Sequence, residues 1–200
     1  MSFHPLMLYD DRFHKSERKL ADEGPPFTFT PERRRQLDEI LTMYPPERKR
    51  SAVLAALYLV QEQAGYLTAN GMRHVAEILE MTPAEVDDVA TYYVMFYKEK
   101  VGKYVLQVCR TLSCALMGAE RVTEALSEKL GIKVGETDPS GTFTLLEFEC
   151  LGACDRAPVV MVNNQHWHEC LKPEDAGKLV DAIKARGDAA FSGCHLHVEK

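Results

Sequence analysis

"KYVLQVCRTLSCALMGAERVTEALSEKLG", residues 103–131, decides the fold of the second half of the chain. Its first six residues alternate and are rich in β-formers, so 103–108 reads as a strand running directly into Cys109. From Cys114 the period changes. Leu116, Val122, Leu126 and Leu130 fall on one helical stripe, and Gly131 supplies a stop. A strand therefore hands over to a helix through a loop that begins and ends on cysteine.

The pattern continues downstream. "DPSG" (138–141) is a turn, and "TFTLLEFE" (142–149) is a strand that delivers Cys150. "PVVMVNN" (158–164) reads as a third strand, with Asn163-Asn164 suited to a tight turn into "QHWHECL" (165–171). "PEDAGKLVDAIKARG" (173–187) is a closing helix. The order β-α-β-β-β-α over 102–187 describes a compact α+β domain, followed by a tail, 188–200.

Upstream the signals are helical. Thr30 caps "PERRRQLDEILTMY", with Leu37, Ile40, Leu41 and Tyr44 on one face. Pro46 opens a second helix that carries Val53, Leu54, Leu57, Tyr58 and Val60 and ends at Gly65. Thr68 caps a third, with Val75, Ile78 and Leu79 inward. Thr82 and Glu85 form a capping box for a fourth, read as running through "ATYYVMF" (90–96). These make a helical bundle of residues 30–97 behind an extended arm, 1–29, whose first 26 residues look mobile.

Net charge is −6, with 13 basic and 16 acidic side chains in residues 1–100 and 11 and 14 in the rest. That balance argues against nucleic acid and against a polybasic membrane tether. No apolar run is long enough to span a bilayer. The first 20 residues lack a secretory apolar stretch and include Asp10, Asp11 and Glu17, so we expect a cytoplasmic chain starting at its own Met1. In that compartment six cysteines point to metal or redox chemistry more than to a disulfide framework.

Four of them form the pattern C-x4-C-x35-C-x3-C: Cys109, Cys114, Cys150 and Cys154. Both pairs follow strands and can meet at one end of a sheet. Gly152 permits close backbone approach or positive φ, and Pro158 shapes the exit. Backbone N–H groups in such loops can face sulfur. Spacing leaves three candidates open: a 2Fe–2S cluster, a structural zinc, or disulfides. The plant-type ferredoxin spacing is not met.

Together with these cysteines, "ECLGAC" followed by "AP", "YP" at the second helix, "GYL" (65–67) and "ATYYVMF" (90–96) make the chain resemble the 24-kilodalton-type subunit family of respiratory NADH:quinone oxidoreductase, complex I. The resemblance spans roughly residues 30–186. It implies a thioredoxin-like 2Fe–2S ferredoxin domain behind the helical domain, with Cys109, Cys114, Cys150 and Cys154 as iron ligands. It also implies electron exchange with FMN in an NADH-oxidising partner subunit, a neighbouring iron–sulfur subunit, and a place on the cytoplasmic peripheral arm of a bacterial membrane-bound complex. The homologous subunit of an NAD-linked hydrogenase or formate dehydrogenase shares these motifs. A zinc-stabilised interaction module is the reading from another class. The chain carries no G-x-G-x-x-G or Walker-type loop of its own, so flavin and NADH are expected on the partner.

Other residues invite function and are read more plainly. Cys170 is expected to be a buried structural thiol in a strand, and Cys194, His195 and His197 an incidental tail tract. His166 and His168 are expected on a solvated hairpin face opposite Trp167. Arg33–Arg35 and Arg48–Arg50 are read as solvated helix faces. Tyr92, Tyr93, Met95 and Phe96 would occupy too much of one helix for a single core face, implying a domain or subunit interface. Thr111 and Ser113 can bond to sulfur, and Ser113 can cap the following helix. Asp155 and Arg156, beside the last cysteine, pull a cluster's potential in opposite directions.

Overall fold

A computed structural model describes residues 21–191, in two compact units that divide between Glu99 and Lys100. Cys194, His195 and His197 lie outside the described residues, as does most of the proposed arm. No helix among the described residues is long and apolar enough to cross a membrane.

The first unit holds α1 (Pro31–Leu41), α2 (Val53–Ala64), α3 (Ala69–Leu79) and α4 (Pro83–Tyr92), with a 3₁₀ turn, Pro46–Ala52, leading into α2. The caps read from sequence are present. Thr30 accepts from Arg33 N, Thr68 from Gly71 N, and Thr82 and Glu85 form the reciprocal box that satisfies two otherwise orphan donors. Leu37, Leu57, Val60, Val75, Leu79 and Val86 fill the core. Residues 21–29 form no helix or strand, yet they are attached. Ala69 N donates to Asp22 O, Asn70 Nδ2 to Gly24 O, and Phe29 is buried in the bundle core.

One helix ends earlier than its pattern suggests. α4 stops at Tyr92, and Tyr93 leaves in an extended conformation. The cause is the buried Gln61 on α2, whose amide donates to Met95 O at 2.9 Å and accepts from Tyr97 N at 2.7 Å. Those bonds satisfy a turn's backbone in place of another helical turn. Phe96 is buried in this unit's own core, Tyr93 and Met95 pack against it, and Tyr92 stands exposed. The four side chains are thus not one crowded helix face. The arginine runs are ion-paired: Arg33 with Glu62, Arg34 with Asp38, Lys49 with Glu80, and Arg50 with Glu85.

The second unit is a four-stranded sheet, β1 (Tyr104–Cys109), β2 (Phe143–Phe148), β3 (Val160–Val162) and β4 (His166–His168), in the order β2-β1-β3-β4. β1 and β2 are parallel; the other two pairs are antiparallel. A parallel pair requires a crossover, which α5 (Leu112–Leu116) and α6 (Ala119–Leu130) provide. With α7 (Pro173–Arg186) they cover the sheet face bearing Tyr104, Leu106, Val108, Phe143 and Leu145.

The crossover departs from a single helix. Gly118, at φ 92°, breaks it, because only glycine takes that conformation without strain. Leu116 consequently leaves the stripe: Val122 and Leu126 are buried, whereas Leu116 is 78% exposed. Gly102 is constrained by space instead. A Cβ there would stand 2.9 Å from backbone atoms of Thr142 and Phe143. Gly102→Ala should therefore destabilise the protein by about 1–3 kcal/mol, the usual range for overpacking. Urea unfolding checks this, and an unchanged midpoint would contradict it.

Asn163 and Asn164, both at positive φ, make the expected tight turn. Their side chains latch it to β1: Val105 N donates to Asn163 Oδ1, and the buried Gln107 exchanges hydrogen bonds with Asn164. In β4 the expected polarity is inverted. His166 stacks on Phe191 at 4.4 Å, His168 lies near the same ring, and Trp167 is the residue facing solvent. Burial, with a smaller contribution from the charge of His166, lowers the His168 pKa to about 4. The folded state thus keeps His168 neutral where the unfolded chain would protonate it. Stability is full above pH ~6.5 and falls as pH drops toward about 4, by on the order of 3 kcal/mol. His168→Phe should flatten that slope in urea melts across this window; an unaltered slope would place its origin elsewhere.

Candidate metal centre

Parallel pairing explains why the cysteines meet. Cys109 is the last residue of β1 and lies in register with Phe148, the last residue of β2. Both strands leave the sheet at the same end, and Arg110 N still donates to Phe148 O there. The first loop then turns into α5, which carries Cys114. The second yields Cys150 two residues beyond β2, and Cys154 opens a one-turn 3₁₀ helix, Cys154–Arg156. The Cys150 and Cys154 sulfurs are 3.6 Å apart, and the Cys109 and Cys114 thiols hydrogen-bond to one another. The first pair is buried and the second exposed, and all four are free thiols.

Backbone N–H groups converge on sulfur as the loop sequences suggest. Gly152, at φ 79°, donates to Cys150 at 3.4 Å. Thr111 and Leu151 donate to Cys109, and Val159 to Cys114. The thiols divide accordingly. Burial alone would raise Cys109, but the Thr111 hydroxyl and the backbone donors bring it below the ordinary thiol value. Burial and the bond to Cys109 push Cys114 up to about 11. Cys150 is lowered, first by the Gly152 N–H, while Cys154 is raised by hydrogen bonding to Cys150. Each pair thus contains one thiol whose pKa is lowered and one whose pKa is raised, and a metal must displace both protons to bind.

Several supports were not legible as site residues. Trp167 Nε1 donates to Leu151 O at 3.1 Å, bracing the second loop from β4. Leu171 N does the same at Pro158 O, which follows a cis peptide bond. Arg110 and Glu149 form a 2.9 Å ion pair between the two loops. Cys170 is exposed rather than buried and lies beyond β4; its N–H donates to Arg156 O, so its backbone braces the second loop. Arg156 lies between Asp155 and Glu169, at 3.7 and 3.9 Å, which offsets its charge near the site. Ser113 does not cap α5: the N-cap position belongs to Thr111.

Among the described residues no three of His, Cys, Asp or Glu gather around one point as a single ion would require. The thiols stand as two pairs. That donor set fits a binuclear group in which each iron takes two thiolates.

A family model, thioredoxin-like 2Fe-2S ferredoxin, matches residues 37–184. The chain belongs to that family. Its cofactor is a 2Fe–2S cluster, and the α+β fold of the second unit is thioredoxin-like. The chain is 41% identical over 159 residues to the E subunit of the NADH-quinone oxidoreductase of Rickettsia conorii, covering 79% of this chain and 95% of that one. It is 39% identical over 170 residues to NADH-quinone oxidoreductase subunit 2 of Thermus thermophilus, covering 80% and 92%. A mitochondrial NADH dehydrogenase (ubiquinone) flavoprotein 2 of Dictyostelium discoideum is 38% identical over 82% of this chain and 66% of its own length. Among solved structures, an NAD+-reducing NiFe hydrogenase in the air-oxidised state superposes with a TM-score of 0.59. It is 19% identical and covers 69% of this chain and 24% of that one, a likeness of fold.

Proposed function

We propose that the chain is the electron-transfer subunit of an NADH:quinone oxidoreductase, with Cys109, Cys114, Cys150 and Cys154 holding its 2Fe–2S cluster. The observation that carries this is the meeting of two thiol pairs at one end of the sheet in a chain of this family. When bound, the cluster supplies a one-electron change between ferric and ferrous iron. The chain's own residues fix the rest. The parallel β1–β2 pair sets the separation of the two loops, and backbone N–H groups of Thr111, Leu151, Gly152 and Val159 offset negative charge on sulfur. Cys109 and Cys114 are screened from water by the α+β core, whereas Cys150 and Cys154 face outward, giving electrons a short exit.

The partner on this reading is the flavin- and NADH-binding subunit, with a neighbouring iron–sulfur subunit, on the cytoplasmic peripheral arm. Leu112, Leu116 and Met117 support a subunit contact here. They are exposed on and just after α5, the helix that carries Cys114, and offer apolar surface for a subunit to cover. Affinity purification from the native host, with every co-purifying polypeptide identified, tests the assignment. Flavoprotein and quinone-reducing subunits of one complex are the expected companions. Hydrogenase subunits would move the chain to the NAD-linked hydrogenase reading, and recovery of the chain alone would count against any such complex.

A further inference from the structure

The first cysteine loop contains a hydroxyl that the helix after it does not use. Thr111 stands at the N-cap position of α5, where a threonine ordinarily accepts a backbone N–H, yet its side chain makes no capping bond. Its Oγ1 lies 3.2 Å from Cys109 Sγ, and the same hydroxyl is among the groups that, after the Gly152 N–H and Cys154, lower the Cys150 thiol on the other loop. Ser113, two residues on, acts in the same sense on Cys154. One loop thus directs hydroxyls at sulfurs of the other, in addition to the backbone donors.

We propose that the Thr111 hydroxyl is a positioning donor shared between the two cysteine pairs, which holds the loops in register and raises the cluster's reduction potential. The proposal rests on the reading that the four cysteines ligate the cluster. A sulfur bound to iron carries no proton, so toward either cysteine the hydroxyl can only donate. Reduction adds one electron to the cluster and places more negative charge on its sulfurs, so a fixed donor favours the reduced form. Threonine suits the role sterically as well, since its branched Cβ restricts χ1 and limits the hydroxyl's swing.

The test is an EPR-monitored redox titration of the anaerobically purified, cluster-containing full chain and its Thr111→Val and Thr111→Ser variants. Valine keeps the shape and removes the donor; serine keeps the donor. Thr111→Val should retain iron and sulfide while the ratio of reduced to oxidised cluster at a fixed potential falls about tenfold, a midpoint lower by about 59 mV for a one-electron couple. Thr111→Ser should titrate near the parent chain. After exchange into D2O, pulsed EPR of the reduced parent chain should show a coupled deuteron that Thr111→Ser keeps and Thr111→Val lacks.

An unshifted midpoint in Thr111→Val, or an equal shift in Thr111→Ser, overturns the proposal while leaving the cluster assignment intact. Failure of both Thr111→Val and Thr111→Ala to take up iron, with Thr111→Ser loaded, would make the hydroxyl an assembly requirement and overturn its role in setting the potential. Zinc without sulfide in the parent chain would overturn the ligand assignment itself.

Discussion

Cys114→Ala is expected to fold and to lose its cluster. Cys114 is 1% exposed among apolar neighbours on the sheet's helical face, so replacing sulfur by hydrogen leaves a small cavity and costs stability on the order of 1 kcal/mol. The same atom is one of the four thiols proposed to hold the cluster, and alanine has no donor to replace it. Second-sphere changes at metal sites typically cost about 10–100-fold in affinity, and loss of a ligand should exceed about 100-fold. Far-UV circular dichroism should match the parent chain while iron and sulfide disappear. Cys170→Ala is the matching control: its thiol is exposed and outside the four-cysteine pattern, and iron content should be unchanged. A fully loaded Cys114→Ala, or an emptied Cys170→Ala, would show that the ligand set has been misassigned.

Phe143→Ala should be the most destabilising single change in the ferredoxin unit. Phe143 is fully buried, begins β2, packs on Tyr104 at 5.7 Å between ring centroids, and lies beneath Lys184. Truncating a buried phenylalanine costs about 3–5 kcal/mol, a large part of the ~5–15 kcal/mol that holds a typical domain folded. Because β2 carries Cys150 to the site, the cluster should become labile along with the strand. Chemical denaturation gives the number, and a loss below about 1.5 kcal/mol would mean that the core refills the space.

These two residues show what the sequence made legible. A strand ending on Cys109 and another ending just before Cys150, the caps at Thr30, Thr68 and Thr82, and the Asn163-Asn164 turn are local signals, and the structure contains each of them. The meeting of Cys109 with Cys150 was also readable, because a strand–helix–strand unit places both strand ends at one end of the sheet. What escaped depends on partners distant in sequence. The end of α4 is fixed by Gln61, more than 30 positions upstream of the turn it holds. Alternation correctly separated Trp167 from His166 and His168, but on an edge strand of three residues only Phe191 decides which face turns inward. Gly118 looked like an ordinary residue within an apolar period, and a glycine in a helix interior is tolerated often enough to hide a break. Thr111 could be named as a sulfur donor, but its reach to the second cysteine pair depends on how the loops fold together.

The central claim is that four thiols of this chain hold one 2Fe–2S cluster. Iron and acid-labile sulfide per chain, measured on anaerobically purified protein with EPR spectra before and after reduction, test it most directly. Two irons, two sulfides and a signal that appears only on reduction are expected. One zinc with no sulfide, and no signal in either state, would contradict it and leave the four cysteines a structural clamp.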